Sequence, residues 1–78
     1  MQITLRSFAQ LRELRGADEE TLSVPAGSTV GALFQQLFGA TPAGSLPVAF
    51  AVNHALVGSE HALQDGDLVA FLPPVGGG

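Results

Sequence analysis

The sequence contains no cysteine, lysine, tryptophan or tyrosine. Without cysteine the chain has no disulfide bond, no thiolate nucleophile and no cysteine ligand for zinc or an iron–sulfur cluster. No apolar run approaches the roughly 18 residues that a membrane-spanning helix needs, and the residues after Met1 lack the basic and apolar regions of a signal peptide. We therefore expect a cytoplasmic protein.

Positive charge is also scarce, because three arginines stand against seven acidic residues and the formal net charge is −4 at pH 7. Nucleic-acid-binding domains normally carry a basic patch, and proteins held at anionic membranes carry a polybasic segment. We therefore expect no nucleic acid and no membrane among the partners. A chain this acidic favours protein partners with basic docking faces, since complementary charge speeds encounter.

The 78 residues suffice for one small domain, and 46% of them are hydrophobic. Residues 1–6 alternate between apolar and polar, which predicts a half-buried strand. Ser7 and Gln10 have the spacing of a capping box. Together with Gly16 as a terminator, they predict a short helix from about Phe8 to Arg15.

The clearest amphipathic helix starts at Val30, after a cap at Ser28 or Thr29, and ends at Gly39. The segment from Thr41 to Pro47 is predicted to be a loop. Further strands are predicted over Glu20 to Val24, Val48 to Val52, Ala55 to Val57 and Leu68 to Leu72. This order of elements predicts an α+β domain over residues 1–72, with a mixed sheet packed on the main helix, and a flexible tail over 73–78.

The last strand is apolar on both faces. Val69 and Phe71 point to one side, while Leu68, Ala70 and Leu72 point to the other. A strand with only one buried face needs only one apolar set. The pattern therefore predicts a central strand whose second face is covered, and a partner is one candidate for the cover.

The polar residues do not form a recognisable active site. His54 and His61 lie near Glu60, Asp65 and Asp67 in sequence, but no pair has the spacing of a helical zinc motif. Surface polar residues are the expected interpretation, and we predict no metal. The sequence also lacks a nucleophile elbow and a phosphate loop followed by lysine.

The tail is the exception. It consists of Pro73, Pro74, Val75, Gly76, Gly77 and Gly78. Six residues reach roughly 20 Å when extended, and the side-chain-free glycines fit a channel where any Cβ would clash. The reactive group would be the carboxylate of Gly78, after activation as, for example, an acyl-adenylate. The alternative is a frayed, inert terminus.

Three stretches resemble one known family. They are residues 8–14, residues 52–57 followed by 61–67, and the final Val69-Ala70-Phe71-Leu72-Pro73-Pro74-Val75 with its glycines. The chain is similar to the ubiquitin-like sulfur carriers of the β-grasp fold that form the small subunit of molybdopterin synthase. The resemblance covers essentially the whole chain, although Leu72 stands where an aromatic residue often precedes the two prolines.

The resemblance implies a mechanism. An E1-like adenylyltransferase would use ATP to adenylate Gly78, and a sulfur donor protein would supply the sulfur of a thiocarboxylate. The tail, with Gly77 as its slim penultimate residue, would enter the synthase large subunit and pass sulfur to cyclic pyranopterin monophosphate. The active site would lie in that subunit, and this chain would bind no cofactor. Phe8, Leu56 and Leu72 are the expected docking residues.

Other interpretations stay open at this point. The chain could carry sulfur for thiamine or cysteine synthesis, although the Pro73-Pro74 pair and residues 8–14 favour the molybdopterin pathway. It could be a protein modifier, in which case the absence of lysine forbids lysine-linked chains of itself. It could also be an interaction domain with an inert tail, and either Gly77 or Gly78 could be the reactive terminus.

Overall fold

The computed structural model describes residues 1–74. Along this range the elements are β1 (Gln2–Ser7), α1 (Ala9–Arg15), β2 (Glu19–Ser23), α2 (Val30–Phe38), a 3₁₀ turn (Pro42–Ser45), β3 (Ala49–Val52), β4 (Ala55–Val57) and β5 (Leu68–Leu72). The strands form one sheet in the order β2-β1-β5-β3-β4. Strand β5 runs parallel to β1 and antiparallel to β3. The predicted α+β architecture, a mixed sheet with a main helix, is confirmed.

Strand β5 is the middle strand of the sheet, as its two apolar faces predict. Val69 and Phe71 are completely buried in the core. Leu68, Ala70 and Leu72 are half-buried on the opposite face. The two sets of side chains therefore lie on opposite faces of the sheet, because alternate residues of a strand point to opposite sides.

Aromatic side chains form the centre of the core between α2 and the sheet. Phe34 of α2 lies edge-on to Phe71 of β5, with ring centroids 5.2 Å apart, and close to Phe38 and Phe50. Edge-to-face contacts at this spacing add to the stabilisation from apolar burial. The fifth phenylalanine, Phe8, stays 40% exposed.

The N-terminus of α2 is closed by a neighbouring loop. The Thr29 side chain caps the helix by accepting from the Ala32 N–H at 3.2 Å, and the Gly31 N–H donates to the Ser59 carbonyl at 2.9 Å. A Cβ on Gly31 would lie 2.7 Å from the Ser59 Cβ. Glycine is therefore required inside this first turn by a close approach, which offsets its cost in helix propensity.

The capping box predicted at the start of α1 is wrong. Ser7 belongs to β1, where it pairs with Phe71 and is buried. Its Oγ has no hydrogen-bond partner among residues 1–74. Phe8 takes the N-cap position without a side-chain hydrogen bond, while Gly16 closes the helix in the left-handed conformation, as predicted.

Several strand boundaries and one loop also differ from prediction, since β1 covers Gln2–Ser7 and β2 begins at Glu19. Strand β2 ends at Ser23 and β3 begins at Ala49, one residue inside the predicted limits. Each limit adjoins a proline, which has no N–H to donate to a ladder. The predicted loop over 41–47 contains the 3₁₀ turn, since the Thr41 side chain accepts from the Ala43 N–H at 3.2 Å.

A half-buried ion pair ties α1 to β2. Arg15 donates two hydrogen bonds to the Glu20 carboxylate, at 2.9 and 2.8 Å. These hydrogen bonds lower the pKa of Glu20 and raise that of Arg15, and partial burial opposes both shifts. Because the pair is bidentate and shielded from water, it stabilises the fold more than an exposed pair does.

We predict that Glu20→Gln lowers the free energy of unfolding by about 1 kcal/mol at pH 7. The folded-state pKa of Glu20 is depressed, so its contribution is complete above the unfolded value of about 4.3 and disappears as the pH falls through the folded value. Urea unfolding should be measured at neutral pH and at pH values below the folded-state pKa. The difference in unfolding free energy between the parent chain and Glu20→Gln should disappear in acid.

Asp18→Asn provides the matched control, since it also removes one carboxylate charge. Asp18 pairs with Arg12 at 3.5 Å, but both side chains are more than half exposed. We expect a loss of only a few tenths of a kcal/mol. Equal losses for the two variants at neutral pH would contradict the special role of the Arg15–Glu20 pair.

Candidate functional site

The sheet has an open face, defined here as the side opposite α2. The β5 residues on it are Leu68, Ala70 and Leu72. In the neighbouring strand Ala51 pairs with Ala70, and on the other side Arg6 pairs with Ala70. Paired residues of neighbouring strands point to the same side of a sheet, so a mainly apolar surface crosses the three central strands.

A depression of about 220 Å³ lies on this open face. We call it the β5 groove. Its lining consists of Arg6, Phe8, Ala51, His54, Leu68, Ala70 and Leu72. None of these residues is acidic, although the chain as a whole has a net charge of −4. The lining is mainly apolar and can receive apolar side chains, and its one charged member, Arg6, pairs with Glu19 at 3.8 Å.

The three predicted docking residues lie on this face, but not all at one point. Phe8 and Leu72 both line the β5 groove. Leu56, which is 74% exposed, lies opposite Ala51 in the outer strand β4. It therefore extends the apolar surface beyond the groove toward the sheet edge.

Sequence reasoning missed Arg6 and His54 as members of the groove. Arg6 is a polar residue of the first strand, where apolar and polar residues alternate. That alternation predicts that its side chain points away from the core. His54 reaches the groove only because the β3–β4 turn has a particular geometry. Asn53 and His54 have φ values of 53° and 71°, and two successive left-handed residues make a tight hairpin turn.

A polar clamp fixes this turn against β5. The Asn53 Nδ2 donates to the Asp67 Oδ1 at 3.0 Å, and the Leu68 N–H donates to the Asn53 Oδ1 at 2.9 Å. The Asp67 carboxylate is buried, and its Oδ2 accepts from the Gln64 N–H at 2.7 Å. The clamp thus holds the β3–β4 turn, and His54 with it, at one end of the groove.

The tail leaves the sheet beside the groove. Strand β5 ends at Leu72, which lines the groove, and Pro73 and Pro74 follow outside the ladder. Proline cannot donate a ladder hydrogen bond, so pairing stops there. The other predicted tail residues, Val75, Gly76, Gly77 and Gly78, lie outside the described residues.

Neither histidine is part of a metal cluster within residues 1–74, where no three His, Cys, Asp or Glu side chains could jointly hold an ion. His61 lies in the loop before β5, and its carbonyl accepts from the Val30 N–H at 3.0 Å. In the same described range, no helix has the length and apolarity to cross a membrane.

Comparison with known proteins identifies the family. The model of the ThiS family matches residues 5–78. The chain belongs to the ThiS family. It is 42% identical over 76 residues to the molybdopterin synthase sulfur carrier subunit of Escherichia coli (strain K12), a match that covers 91% of this chain and 93% of that protein. The resemblance inferred from the sequence is confirmed.

Solved structures of similar proteins share the ubiquitin-like fold. One is a Pyrococcus furiosus protein named as a candidate subunit 1 of a molybdopterin converting factor, with a TM-score of 0.80, 29% identity, and coverage of 96% of this chain and 99% of that chain. Another is small archaeal modifier protein 1 of Haloferax volcanii, with a TM-score of 0.77, 26% identity, and coverage of 95% and 98%.

We predict that the polar clamp contributes strongly to the stability of this ThiS-family fold. Asn53→Gly keeps a residue suited to the left-handed turn but removes the donor to the buried Asp67, so unfolding free energy should fall by about 1–3 kcal/mol. Asn53→Ala should lose about 1 kcal/mol more through backbone strain. Urea denaturation would measure both losses.

His54→Gly is the control for this pair of variants. It changes the neighbouring left-handed residue, whose side chain is exposed, and should leave stability within about 0.5–1 kcal/mol of the parent chain. If Asn53→Gly proved as stable as the parent chain, the clamp would not be the feature that holds the turn.

Proposed function

We propose that this chain is the sulfur carrier of a molybdopterin synthase. The observation that carries the proposal is the ending of the central strand: β5 stops at Leu72, on the rim of an apolar groove, and the proline pair begins there. A domain of this kind brings a docking surface and the start of the tail at Pro73 to the same side of the molecule. The ThiS-family membership and the name of the Escherichia coli relative support this function.

The chemistry is assigned to the Gly78 carboxylate. An ionised carboxylate is a poor electrophile, so an E1-like adenylyltransferase would first use ATP to form the acyl-adenylate and release pyrophosphate. A sulfur donor protein would then supply sulfur at the oxidation level of sulfide. The carbon–sulfur bond would form, the acyl–phosphate bond would break, AMP would leave, and the terminus would become a thiocarboxylate. The described side chains of this protein have no part in either step.

The thiocarboxylate would act in the large subunit of the synthase. The tail would enter that subunit, with Gly77 and Gly78 passing where a side chain would clash. There it would donate sulfur to cyclic pyranopterin monophosphate during molybdenum cofactor biosynthesis. The cytoplasmic location and the absence of a cofactor bound to this chain remain predictions.

Docking is assigned to the open face. Phe8, Leu56 and Leu72 present apolar area that is not buried within the described chain, and apolar anchors at the centre of an interface carry most of the binding energy. At the rim of the groove Arg6 pairs with Glu19, at 3.8 Å, so charged groups of both signs lie beside the apolar surface. Complementary charges on a partner would mainly speed encounter.

Removal of Gly78 should abolish sulfur loading without unfolding the domain. The terminal carboxylate would then belong to Gly77, one residue short of the required reach. Intact-mass measurement after incubation with the activating enzyme, ATP and the sulfur donor should show exchange of one oxygen for one sulfur in the full chain only. Sulfur loading of the shortened chain would refute Gly78 as the reactive terminus.

Leu56→Ser should weaken binding to the large subunit by about tenfold, because Leu56 is the most exposed of the three apolar docking residues, at 74%. Leu14→Ser is the matched control, because Leu14 is also exposed, at 52%, but lies on α1 beside Pro42 and Leu46. Calorimetric titration should show that Leu14→Ser binds the large subunit with an affinity within about twofold of that of the parent chain. The reverse order of effects would move the docking site to the helical side.

A protein modifier is the second candidate, because the Haloferax volcanii neighbour is named as one. Its activation chemistry would be the same, but the terminus would form an amide with an amine of another protein. Denaturing blots of cells that express a tagged chain would reveal such adducts. A carrier for thiamine or cysteine synthesis would instead be distinguished by the enzyme that co-purifies with the chain.

A further inference from the structure

A second depression, which the proposed function does not use, lies on the helical side of the sheet. It has a volume of about 450 Å³, and its lining includes Thr29, Phe34, Gln35, Phe50, Ser59 and Glu60. We call it the α2 cleft. Phe50 pairs with the buried Phe71, and paired residues point to the same side of a sheet. The α2 cleft and the open face therefore lie on opposite sides of the sheet.

Two aromatic rings line the α2 cleft. Phe34 of α2 and Phe50 of β3 have ring centroids 5.7 Å apart and ring planes at 65°. Phe34 is buried, whereas Phe50 is only partly buried, so part of the Phe50 ring can be reached from the cleft. The face of an aromatic ring carries partial negative charge and attracts a cation that lies within about 6 Å of the ring centre. The cleft therefore offers an apolar surface that suits a flat cation.

Glu60 adds an exposed carboxylate beside these rings. Most other acidic side chains already have partners, because the Asp65 and Asp67 carboxylates accept hydrogen bonds and three more are bound to arginine. Within residues 1–74 these ion pairs are Arg6–Glu19, Arg12–Asp18 and Arg15–Glu20. No arginine of this range thus neutralises Glu60, and its carboxylate can pair with a cation from outside the chain.

The backbone on both sides of Glu60 is fixed. The His61 N–H donates to the Gly58 carbonyl at 3.1 Å and closes a turn. The Ser59 carbonyl accepts from the Gly31 N–H at 2.9 Å, and the His61 carbonyl accepts from the Val30 N–H at 3.0 Å. A ligand that pairs with Glu60 therefore finds its backbone already ordered, which reduces the entropic cost of binding.

The polar groups of the α2 cleft favour a cation over an anion. The N-terminus of a helix normally attracts anions through its unpaired N–H groups. Here the first N–H groups of α2 are already donated, those of Val30 and Gly31 to the loop carbonyls and that of Ala32 to the Thr29 Oγ1 at 3.2 Å. An anion would also meet the charge of Glu60, whereas a cation would meet Glu60 and the ring of Phe50.

We propose that the α2 cleft binds an arginine side chain of a partner protein that docks on the helical side. A guanidinium is planar and can stack on an aromatic ring while it donates two hydrogen bonds to one carboxylate. The ammonium of lysine is more strongly hydrated and lacks this flat surface. Because the α2 cleft and the open face lie on opposite sides, the two surfaces can be occupied at the same time. The proposal is independent of sulfur chemistry.

The proposal can be tested by nuclear magnetic resonance on the isolated, isotope-labelled full chain. The probe is N-acetyl-arginine methylamide, and the matched probe is its citrulline analogue, which has nearly the same shape without the charge. Arginine should shift the backbone amide signals of Gly31, Ser59 and Glu60 and bind about tenfold more tightly than citrulline, since citrulline can form neither the ion pair nor the cation–π contact. The corresponding lysine compound should bind more weakly than arginine.

Three variants locate the interaction, and the amide spectrum of each one verifies its fold. Glu60→Gln should weaken arginine binding by about fivefold through loss of the ion pair, and Phe50→Leu by about threefold through loss of the ring. Glu13→Gln is the matched control, because it also removes an exposed carboxylate outside the ion pairs of residues 1–74. Glu13 lines the separate depression beside Leu14, so this change should leave the affinity unchanged.

Equal affinity for the arginine and citrulline probes would overturn the inference, as would parental affinity in Glu60→Gln. Signal shifts confined to the surroundings of Glu13 would place the arginine site elsewhere and contradict the role of the α2 cleft. Lysine binding as tight as that of arginine would refute selection for a guanidinium. Because the assay contains no activating enzyme and no sulfur donor, its outcome is separate from that of the sulfur-loading experiment.

Discussion

The pairing of β5 between β1 and β3 is the constraint on which the other features depend. It buries Val69 and Phe71 against α2 and thereby completes the aromatic core. The same pairing fixes where the strand ends, since a one-residue slip would exchange its two faces. Only in this register does Leu72 line the groove and does the tail begin at Pro73. Stability and the placement of the tail therefore have a common cause.

This arrangement leaves one side of a small domain available for docking. A chain of this size buries a limited share of its surface, and here that share lies on the helical side of the sheet. The other side keeps an apolar surface in contact with solvent, with Phe8 and Leu56 exposed. Such a surface is costly in an isolated protein and useful in one that docks. The structure thus favours docking over enclosure of a substrate.

Strand and helix order was predictable because period-two and period-3.6 patterns are strong in this chain, as in residues 1–6 and in α2. The two apolar sets of β5 even indicated its central position. The error at Ser7 arose because a capping-box spacing is local, whereas pairing with Phe71 is a long-range contact that pattern reasoning does not see. His54 was missed for a similar reason: two left-handed residues and the clamp to Asp67 bring it to the groove, and neither is visible as a periodicity.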